Sequence, residues 1–247
     1  MSGVLYLLPS PIGSAPAAAL PRDVIAVAHR VKHFLVENAK SARAFLKQLE
    51  HPTPMLQLSI IEIGHAPHEA EIAGWLAPLQ QDLDVAIISE AGCPAIADPG
   101  ATLVAAAHRN GWTVTPLVGP SAIVLALMAS GLNGQQFRFV GYLPIATDER
   151  AAAIHALERA SETGETQIFI ETPYRNVTLF DALLTHCAQT TRLAVAAGIT
   201  TEEAFIEQRT IGQWRQGRPY VNARLIKRPA VFSLLAEPGQ PIFTGSA

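Results

Sequence analysis

The chain has 247 residues, of which 49% are hydrophobic and only 16% are charged, and its formal net charge is -3. This composition is too apolar for a disordered protein and allows a large buried core, while the slight negative charge disfavours nonspecific binding of polyanions. The two cysteines, Cys93 and Cys187, form neither a disulfide framework nor a zinc-ligand spacing, which favours a reducing compartment. We find no secretory signal pattern and no apolar stretch of the roughly 18–20 residues that a membrane helix needs. We therefore expect a cytoplasmic protein without a membrane segment.

Short apolar strands alternate with helices through the first half of the chain. The predicted strands cover 4–9, 33–37, 54–61, 84–89 and 112–119. The predicted helices cover 23–30, 41–49 and 69–79, and a further helix begins with Asp98 as its N-cap and ends at Gly111. Continuously apolar runs such as "DVAIIS" are typical of buried parallel strands. This alternation predicts a parallel α/β sheet.

The second half repeats the alternation with different spacing, which leaves a mixed sheet open. Its predicted strands cover 137–144, 166–171, 192–198, 204–210 and 230–236, and its predicted helices cover 121–130, 148–161 and 176–187. We place a domain boundary at the turn "VGPS", so that an N-terminal α/β domain covers 1–118 and a C-terminal α/β domain covers 119–237. The last residues, 238–247, have no packing pattern and are expected to form a flexible tail.

Three loops rich in glycine and proline follow predicted strands. They are "PSPIGS" (9–14), the stretch within "ISEAGCPAIADPG" (88–100), and "VGPSA" (118–122). Ligands of open α/β sheets bind outside the carboxyl ends of the strands. Glycine lets the backbone approach a ligand closely, and proline holds a loop open before the ligand arrives. Each loop alone is typical of a tight turn, but three on one edge favour a pocket for a ligand with a flat base and a polar tail, such as a nucleoside.

Other kinds of site are disfavoured by what the sequence contains. There is no GxGxxG motif, no Walker loop and no Ser–His–Asp signature, which argues against dinucleotide and ATP chemistry. A small cluster comprises His65, His68, Glu69 and Glu71, but it has no recognised ligand spacing, and we interpret it as a solvated helix start and not as a metal site. We interpret Cys93 as a small lining residue of its loop and not as a nucleophile, because no paired base is evident.

Five motifs occur in a family-specific order: "LYLLPSPIG", "ISEAGCPAIADPG", "VGPSA", "FRFVGYLP" and "IFIETPYRN". On these motifs the chain resembles the class III S-adenosylmethionine methyltransferases, the tetrapyrrole methylase superfamily. Within that superfamily it is most similar to the small-subunit ribosomal RNA cytidine 2′-O-methyltransferase family. The resemblance implies two α/β domains with S-adenosylmethionine in the cleft between them, and a homodimer.

The resemblance also implies which residues contact the cofactor. Carried over by motif position, they are Ile12, Cys93, Pro94, Ile96, Ser121, Ala122, Thr172, Ala197, Pro229 and Ala230. On this interpretation the loop at 88–100 has mostly small side chains because its backbone must reach the cofactor. It is stiff because preorganisation reduces the entropic cost of binding.

Three motifs depart from the pattern of the ribosomal RNA family. Glu37 of an acidic motif remains, but the residues after it read Asn38, Ala39 and Lys40 in place of Asp–Thr–Arg. In the second motif, Glu90 replaces an aspartate and Cys93 replaces a threonine, and an expected Ser–Pro–His–Arg reads "TPYR". The motifs expected to contact the cofactor thus match the family pattern better than the motifs expected to contact the substrate. The alternative interpretation is a cofactor-binding paralogue that methylates a small molecule, such as a tetrapyrrole, or that acts as an inactive binding module.

A ribose hydroxyl that receives a methyl group needs a base or a hydrogen-bond acceptor. Glu37 and Glu90 end neighbouring predicted strands and are the candidates, with a structural carboxylate as the open alternative. Lys40 or Arg43 can bind a phosphate, or they can lie on a solvated helix face.

The stretch from 209 to 228 is basic, with no acid and with Trp214 and Tyr220 interleaved among its arginines. We expect Arg215 and Arg218 to bind RNA, since arginine pairs with phosphates and aromatic rings stack on bases. The alternative is a loop and strand whose arginines pair with acids elsewhere, such as Glu202, Glu203 and Glu207.

Overall fold

The chain folds into two compact units, Met1–Ser121 (unit 1) and Ala122–Ala247 (unit 2), in a computed structural model. The structure describes residues 3–13, 19–65 and 67–237. The division lies close to the boundary expected between 118 and 119. The tail expected at 238–247 and the last residue of the loop at 9–14 lie outside the described residues.

Unit 1 is built on a five-stranded parallel sheet. Its strands are β1 (Val4–Leu8), β2 (His33–Val36), β3 (Ser59–Glu62), β4 (Val85–Ile88) and β5 (Thr113–Pro116), and its helices are α1 (Arg22–Arg30), α2 (Ala39–Gln48), α3 (Glu69–Trp75) and α4 (Ala101–Arg109). The strand order is β3-β2-β4-β1-β5, and each neighbouring pair is parallel. All five strands therefore end at one edge, which we call the carboxyl edge of unit 1.

Side chains alternate along the central strands and fill a core on each face of this sheet. On β2, Phe34 and Val36 join one cluster together with Phe45 of α2, while Leu35 joins the cluster on the opposite face. Burying one such aliphatic or aromatic side chain contributes about 1.5–3 kcal/mol. Both faces are apolar because helices cover both, and this confirms the α/β sheet predicted from the continuously apolar runs.

The helix that we expected to begin at Asp98 begins at Ala101 instead, and Gly100 is its N-cap. The N–H of Ala95 donates to the carbonyl of Pro99 at 3.3 Å, so a separate turn closes before the helix starts. Gly100 has φ of 136°, a conformation that favours glycine and that breaks the helix geometry at this point. The predicted N-cap role of Asp98 is therefore wrong.

Two further elements of unit 1 differ from the prediction, each beside a proline. The strand expected over 54–61 begins only at Ser59, because Met55–Gln57 forms a 3₁₀ turn after Pro54. The helix expected over 69–79 ends at Trp75, and the 3₁₀ turn Ala77–Gln81 follows with proline in its first positions. Proline lacks the N–H that the α-helical ladder needs, which disfavours continuing the helix at this position.

Unit 2 is built on a mixed sheet. Its strands are β6 (Phe137–Tyr142), β7 (Thr166–Glu171), β8 (Arg192–Ala197), β9 (Phe205–Thr210) and β10 (Ala230–Leu235), and its helices are α5 (Ala122–Ser130), α6 (Thr147–Ser161), α7 (Asn176–His186) and α8 (Ile211–Leu225). The strand order is β6-β7-β10-β8-β9. Only the β6–β7 pair is parallel, and the other pairs are antiparallel. The larger core lies on the face covered by α6, α7 and α8, and α5 packs on the other face.

Helix α8 occupies a stretch that the sequence analysis leaves as loop and strand, so that expectation is wrong. The helix starts at a capping box, in which the Thr210 side chain and the Gln213 side chain each bond the other's backbone N–H. Trp214 is fully buried, and its indole N–H donates to the carbonyl of Leu193 at 2.8 Å. Two glycines and Pro219 weaken the helical pattern in the sequence, but the anchored first turn and the core contact override the low propensity.

The close approach of two loops in unit 1 generates a stability prediction. A Cβ added at Gly119 would lie 2.1 Å from Cβ of Pro9, and the rigid proline ring cannot move aside. Gly119→Ala should therefore lower the free energy of unfolding by about 1–3 kcal/mol, as overpacking does. Gly74→Ala is the matched control, since Gly74 lies in α3 with open space around it and should gain up to about 1 kcal/mol in helix propensity. Urea unfolding measures both, and equal effects of the two substitutions would contradict the assignment.

Candidate functional site

The first two glycine- and proline-rich loops pair with each other at the carboxyl edge of unit 1. Ser10 and Gly92 form an antiparallel bridge, with N–H to carbonyl distances of 2.9 and 3.1 Å. The buried hydroxyl of Ser10 donates to the carbonyl of Ser89 at 2.9 Å. The loop after β1 and the loop after β4 are thus held together by backbone bonds.

The third loop joins them through Pro120. The thiol of Cys93 donates to the carbonyl of Pro120 at 3.3 Å, and a Cβ added at Gly92 would meet the same oxygen at 3.3 Å and Ile12 at 3.5 Å. Gly92 also has φ of 82°, so a side chain there would be strained as well as crowded. Burial raises the pKa of the Cys93 thiol, which keeps it protonated. The structure therefore brings the first two loops together with Pro120 of the third loop within unit 1.

The sequence-predicted cofactor residues of unit 1 differ in exposure. Ile12 and Pro94 are buried, Cys93 and Ser121 are half-buried, and Ile96 is 49% exposed. Ala95 and Ala97, which flank Ile96, have φ of 66° and 62°, and positive φ is uncommon for residues other than glycine. Such strained backbone tends to cluster at functional sites.

The predicted cofactor residues of unit 2 gather at one edge of its sheet. Ala230 pairs with Ala197 on one side and with the last residue of β7, just before Thr172, on the other. The carbonyl of Pro229 accepts a hydrogen bond from Gly198 at 2.9 Å. The side chains of Ala197 and Ala230 belong to the larger core, so only their backbone can contact a ligand. The remaining residue, Ala122, is half-buried at the start of α5.

The two predicted catalytic carboxylates lie side by side but have different surroundings. Glu37 is 8% exposed, and its Oε2 accepts a hydrogen bond from the backbone N–H of Glu90 at 3.0 Å. Its Oε1 lies 2.7 Å from Nδ1 of His65. Glu90 is exposed, and its Oε1 accepts from the hydroxyl of Ser41 at 2.6 Å. Glu37 therefore anchors its neighbours, whereas the carboxylate of Glu90 faces solvent.

Asp98 is the third carboxylate of this acidic cluster. The sequence analysis does not identify it as a site residue. Burial raises the pKa of Asp98 to about 6, with further upward contributions from Glu37 and Glu90. A hydrogen bond with Ser89 and the neighbouring His65 act in the opposite direction. The sequence signal was present, since Asp98 lies within the motif that the resemblance uses, but its position before a helix favoured the N-cap interpretation. His65 was missed as well, because its spacing suggested only a helix start.

The predicted phosphate-binding residues of unit 1 lie on the exposed side of α2. Asn38 caps this helix, and its side chain accepts from the N–H of Lys40 at 2.9 Å and of Ser41 at 3.2 Å. Lys40 and Arg43 are both exposed. One guanidinium nitrogen of Arg43 donates to the carbonyl of Ala39 at 3.3 Å.

The arginines of α8 have partners within unit 2. Arg215 donates to the carbonyl of Leu184 at 2.9 and 2.6 Å and to that of Cys187 at 3.3 Å, which satisfies the end of α7. Arg218 forms an ion pair with Asp181 at 2.7 Å. Other pairs of the basic stretch and its surroundings are Arg209–Glu207 and Arg228–Glu203. These contacts favour the alternative in which the arginines pair within the protein, although in a helix and not in a loop and strand.

The described residues offer neither a metal cluster nor a membrane-spanning helix. Within 3–13, 19–65 and 67–237, no three His, Cys, Asp or Glu side chains are grouped so that they could hold a metal ion. Over the same residues, no helix is both long enough and apolar enough to span a bilayer.

Two α/β units, with glycine- and proline-rich loops gathered at strand ends, define the class of the tetrapyrrole methyltransferase fold. The family model Tetrapyrrole (Corrin/Porphyrin) Methylases matches residues 14–214, and the chain belongs to this family. The structure of uroporphyrin-III-C-methyltransferase from Thermus thermophilus aligns with 95% of this chain over 93% of its own length. The TM-score is 0.56 and the sequence identity is 18%. The structure of the methyltransferase CobJ aligns with 99% of this chain over 98% of its own length, with a TM-score of 0.61 at 15% identity. These structures confirm the predicted fold class.

Curated relatives share more sequence with the chain. Ribosomal RNA small subunit methyltransferase I of Micromonospora olivasterospora is 36% identical over 72% of this chain and 54% of its own length. The protein of the same name from Halalkalibacterium halodurans is 33% identical over 74% and 60%, and that from Leptospira biflexa is 31% identical over 73% and 71%. The chain thus spans little more than half the length of the first of these relatives. The resemblance stated from the motifs is confirmed.

The raised pKa of Asp98 predicts a pH-dependent stability. Because its pKa of about 6 lies above the ordinary 3.8, the protonated carboxyl contributes stability below about pH 4 that is lost as the pH rises through about 6. Asp98→Asn, which resembles the protonated acid, should match the wild type near pH 4. At pH 7 it should exceed the wild type by on the order of 1 kcal/mol, since the half-buried carboxyl is partly screened by solvent. Urea unfolding from pH 4 to 7 checks this, and a difference that does not change with pH would count against it.

The contacts of α8 predict unequal effects of its two arginines on stability. Arg215→Ala removes the donors to two carbonyls at the end of α7 and should lower the free energy of unfolding by about 1–2 kcal/mol. Arg218→Ala, the matched control on the same helix, breaks only an exposed ion pair and should change stability little. Denaturant unfolding of both variants is the measurement. If Arg215→Ala unfolds like the wild type, its capping role is wrong.

Proposed function

We propose that this protein is an S-adenosylmethionine-dependent methyltransferase that modifies a ribose 2′-hydroxyl of ribosomal RNA. The observation that carries the proposal is its similarity to proteins named Ribosomal RNA small subunit methyltransferase I. Membership in the tetrapyrrole methylase family supports methyl transfer as the reaction type. The cytoplasmic location and the homodimer expected from the resemblance belong to this proposal.

The residues at the predicted cofactor positions fit a nucleoside that carries a polar tail. In unit 1, the exposed Ile96 supplies an apolar surface for a flat base, and the small side chains of Ala91 and Ala97 leave the backbone accessible. In unit 2, the alanines that end β8 and begin β10 bury their side chains and leave only backbone groups for hydrogen bonds. Cofactor binding at these positions is part of the proposal.

When bound, S-adenosylmethionine supplies an electrophilic methyl group, so the protein needs chiefly to align the acceptor and to exclude water. Glu37 holds the backbone N–H of Glu90 and thereby fixes where that strand end lies. The exposed carboxylate of Glu90 is one candidate to accept a hydrogen bond from an acceptor hydroxyl. The phosphates of the RNA would bind away from these carboxylates. Lys40 and Arg43, on the exposed side of α2, are the candidates to bind them.

The test is methyl transfer from labelled S-adenosylmethionine to separated ribosomal RNA, protein and small-molecule fractions. We expect label in the RNA, and we expect the labelled nucleotide to appear in alkali-resistant dinucleotides, because a 2′-O-methyl group blocks the internal attack that cleaves RNA in base. Label in a small-molecule fraction would replace the proposal with the tetrapyrrole-like alternative. Cofactor binding without transfer to any fraction would favour the inactive binding module.

A pair of variants on one helix tests the predicted cofactor contact of unit 2. Ala122→Gln adds a long side chain at the predicted contact and should abolish binding of S-adenosylhomocysteine in calorimetry. Ala129→Gln adds the same side chain at an exposed position of α5 and should bind as the wild type does. Circular dichroism shows whether both variants fold. Unchanged binding by a folded Ala122→Gln variant would remove Ala122 from the site.

A further inference from the structure

A histidine and a buried carboxylate form a pair at the carboxyl edge of unit 1. Nδ1 of His65 lies 2.7 Å from Oε1 of Glu37. The Glu37 side chain is 7% exposed, whereas the His65 side chain is 87% exposed. The pair therefore combines a fixed acid inside the protein with an imidazole that solvent and a substrate can reach.

The position of Glu37 is fixed by its other hydrogen bond. Its Oε2 accepts from the N–H of Glu90 at 3.0 Å, and its own N–H donates to the carbonyl of Ile88 at 3.2 Å. Because Oε1 can only accept, the neutral imidazole must donate from Nδ1, and the lone pair then lies on Nε2. A base whose ring is oriented by a carboxylate in this way is the arrangement that proton transfer to histidine uses in general acid–base catalysis.

His65 reaches this edge because the chain after β3 continues beside β2. The N–H of Ile63 donates to the carbonyl of Val36 at 2.8 Å, and Gly64 follows with φ of 64°. The sequence interpretation of His65 as part of a solvated helix start does not hold, since α3 begins only at Glu69. His68 is the N-cap of that helix, and its side chain makes no capping bond.

We propose that His65, oriented by Glu37, takes the proton from the acceptor hydroxyl during methyl transfer, an inference that rests on the proposed function. A bond forms between the hydroxyl oxygen and the methyl carbon, and the bond from that carbon to the sulfonium sulfur breaks with its electron pair left on sulfur. The hydroxyl proton moves to Nε2 of His65. The carboxylate of Glu37 balances the charge of the resulting imidazolium, so Glu37 is a positioning residue and His65 the catalytic one.

Other titratable groups face this pair and define the competing assignments. They are Glu90, just after β4, and Asp98 in the loop that follows it. Glu62 at the end of β3 instead accepts from the N–H of Ala39 at 2.8 Å. Glu90 is held by Ser41, and Asp98 interacts with Ser89. Asp98 is the strongest competitor as a proton acceptor, and its variant belongs in the test.

The kinetic test compares His65→Gln with the matched control His68→Gln. Glutamine can still donate to Glu37 but cannot take the proton, so the single-turnover rate of methyl transfer to RNA should fall about 10²-fold or more while S-adenosylhomocysteine affinity stays unchanged. His68→Gln should react as the wild type does. Added imidazole should raise the rate of a folded His65→Ala variant.

A second readout does not depend on activity. The ¹⁵N spectrum of the free wild-type protein should show neutral His65 with its proton on Nδ1, and the Nε2–H tautomer would overturn the inference. Wild-type transfer to RNA together with a full rate in His65→Gln would also overturn it and leave the proposed function standing. Loss of rate in Asp98→Asn but not in His65→Gln would assign the base to Asp98. No transfer to RNA by the wild type would defeat the proposed function itself, and the catalytic role of His65 with it.

Discussion

The buried carboxylate of Glu37 is the constraint on which the carboxyl edge of unit 1 depends. A carboxylate away from water is costly unless it is hydrogen-bonded, so each of its oxygens must have a partner. One oxygen holds the backbone where β4 ends, at Glu90, and the other holds the imidazole of His65. Three strand ends that are distant in the sequence are thereby tied to one acid. The same hydrogen bonds that satisfy the Glu37 carboxylate therefore also fix the positions of the Glu90 backbone and the His65 ring.

The loops at the same edge are held by a second kind of constraint, which is backbone pairing. The bridge between Ser10 and Gly92, and the contacts of the second loop with Pro120, use main-chain atoms and small side chains. Ile96 is the large apolar side chain that the second loop exposes. Strained φ angles on either side of Ile96 are sustained because the surrounding turns determine the path of the chain. A rigid, bare surface of this kind suits a ligand that is recognised through backbone groups.

The charged side chains of the two units differ in what they contact. Carboxylates concentrate at the carboxyl edge of unit 1, where burial raises the pKa of Asp98 and the carboxylates of Glu37 and Glu90 raise it further. The arginines of α8 instead satisfy carbonyls and acids of unit 2, as Arg215 does at the end of α7. A basic stretch in a sequence is thus weak evidence for nucleic-acid binding until its partners are known. Proton handling by histidine fits the acidic edge, because a carboxylate stabilises the imidazolium that forms.

The sequence by itself determined the α/β class, the strands of both units, and the loops at their ends, because apolar runs and Gly–Pro signals are local. It also indicated Glu37 and Glu90 as neighbours. Only the tertiary structure decided that Glu37 is buried, that His65 and Asp98 join it, and that Arg215 caps a helix, since these depend on contacts between residues far apart in the chain. Helix α8 shows the same limit: its glycines and proline oppose a helix locally, and the burial of Trp214 against Leu193 overrides them. Local patterns report propensity, whereas burial and hydrogen-bond partners are properties of the folded chain.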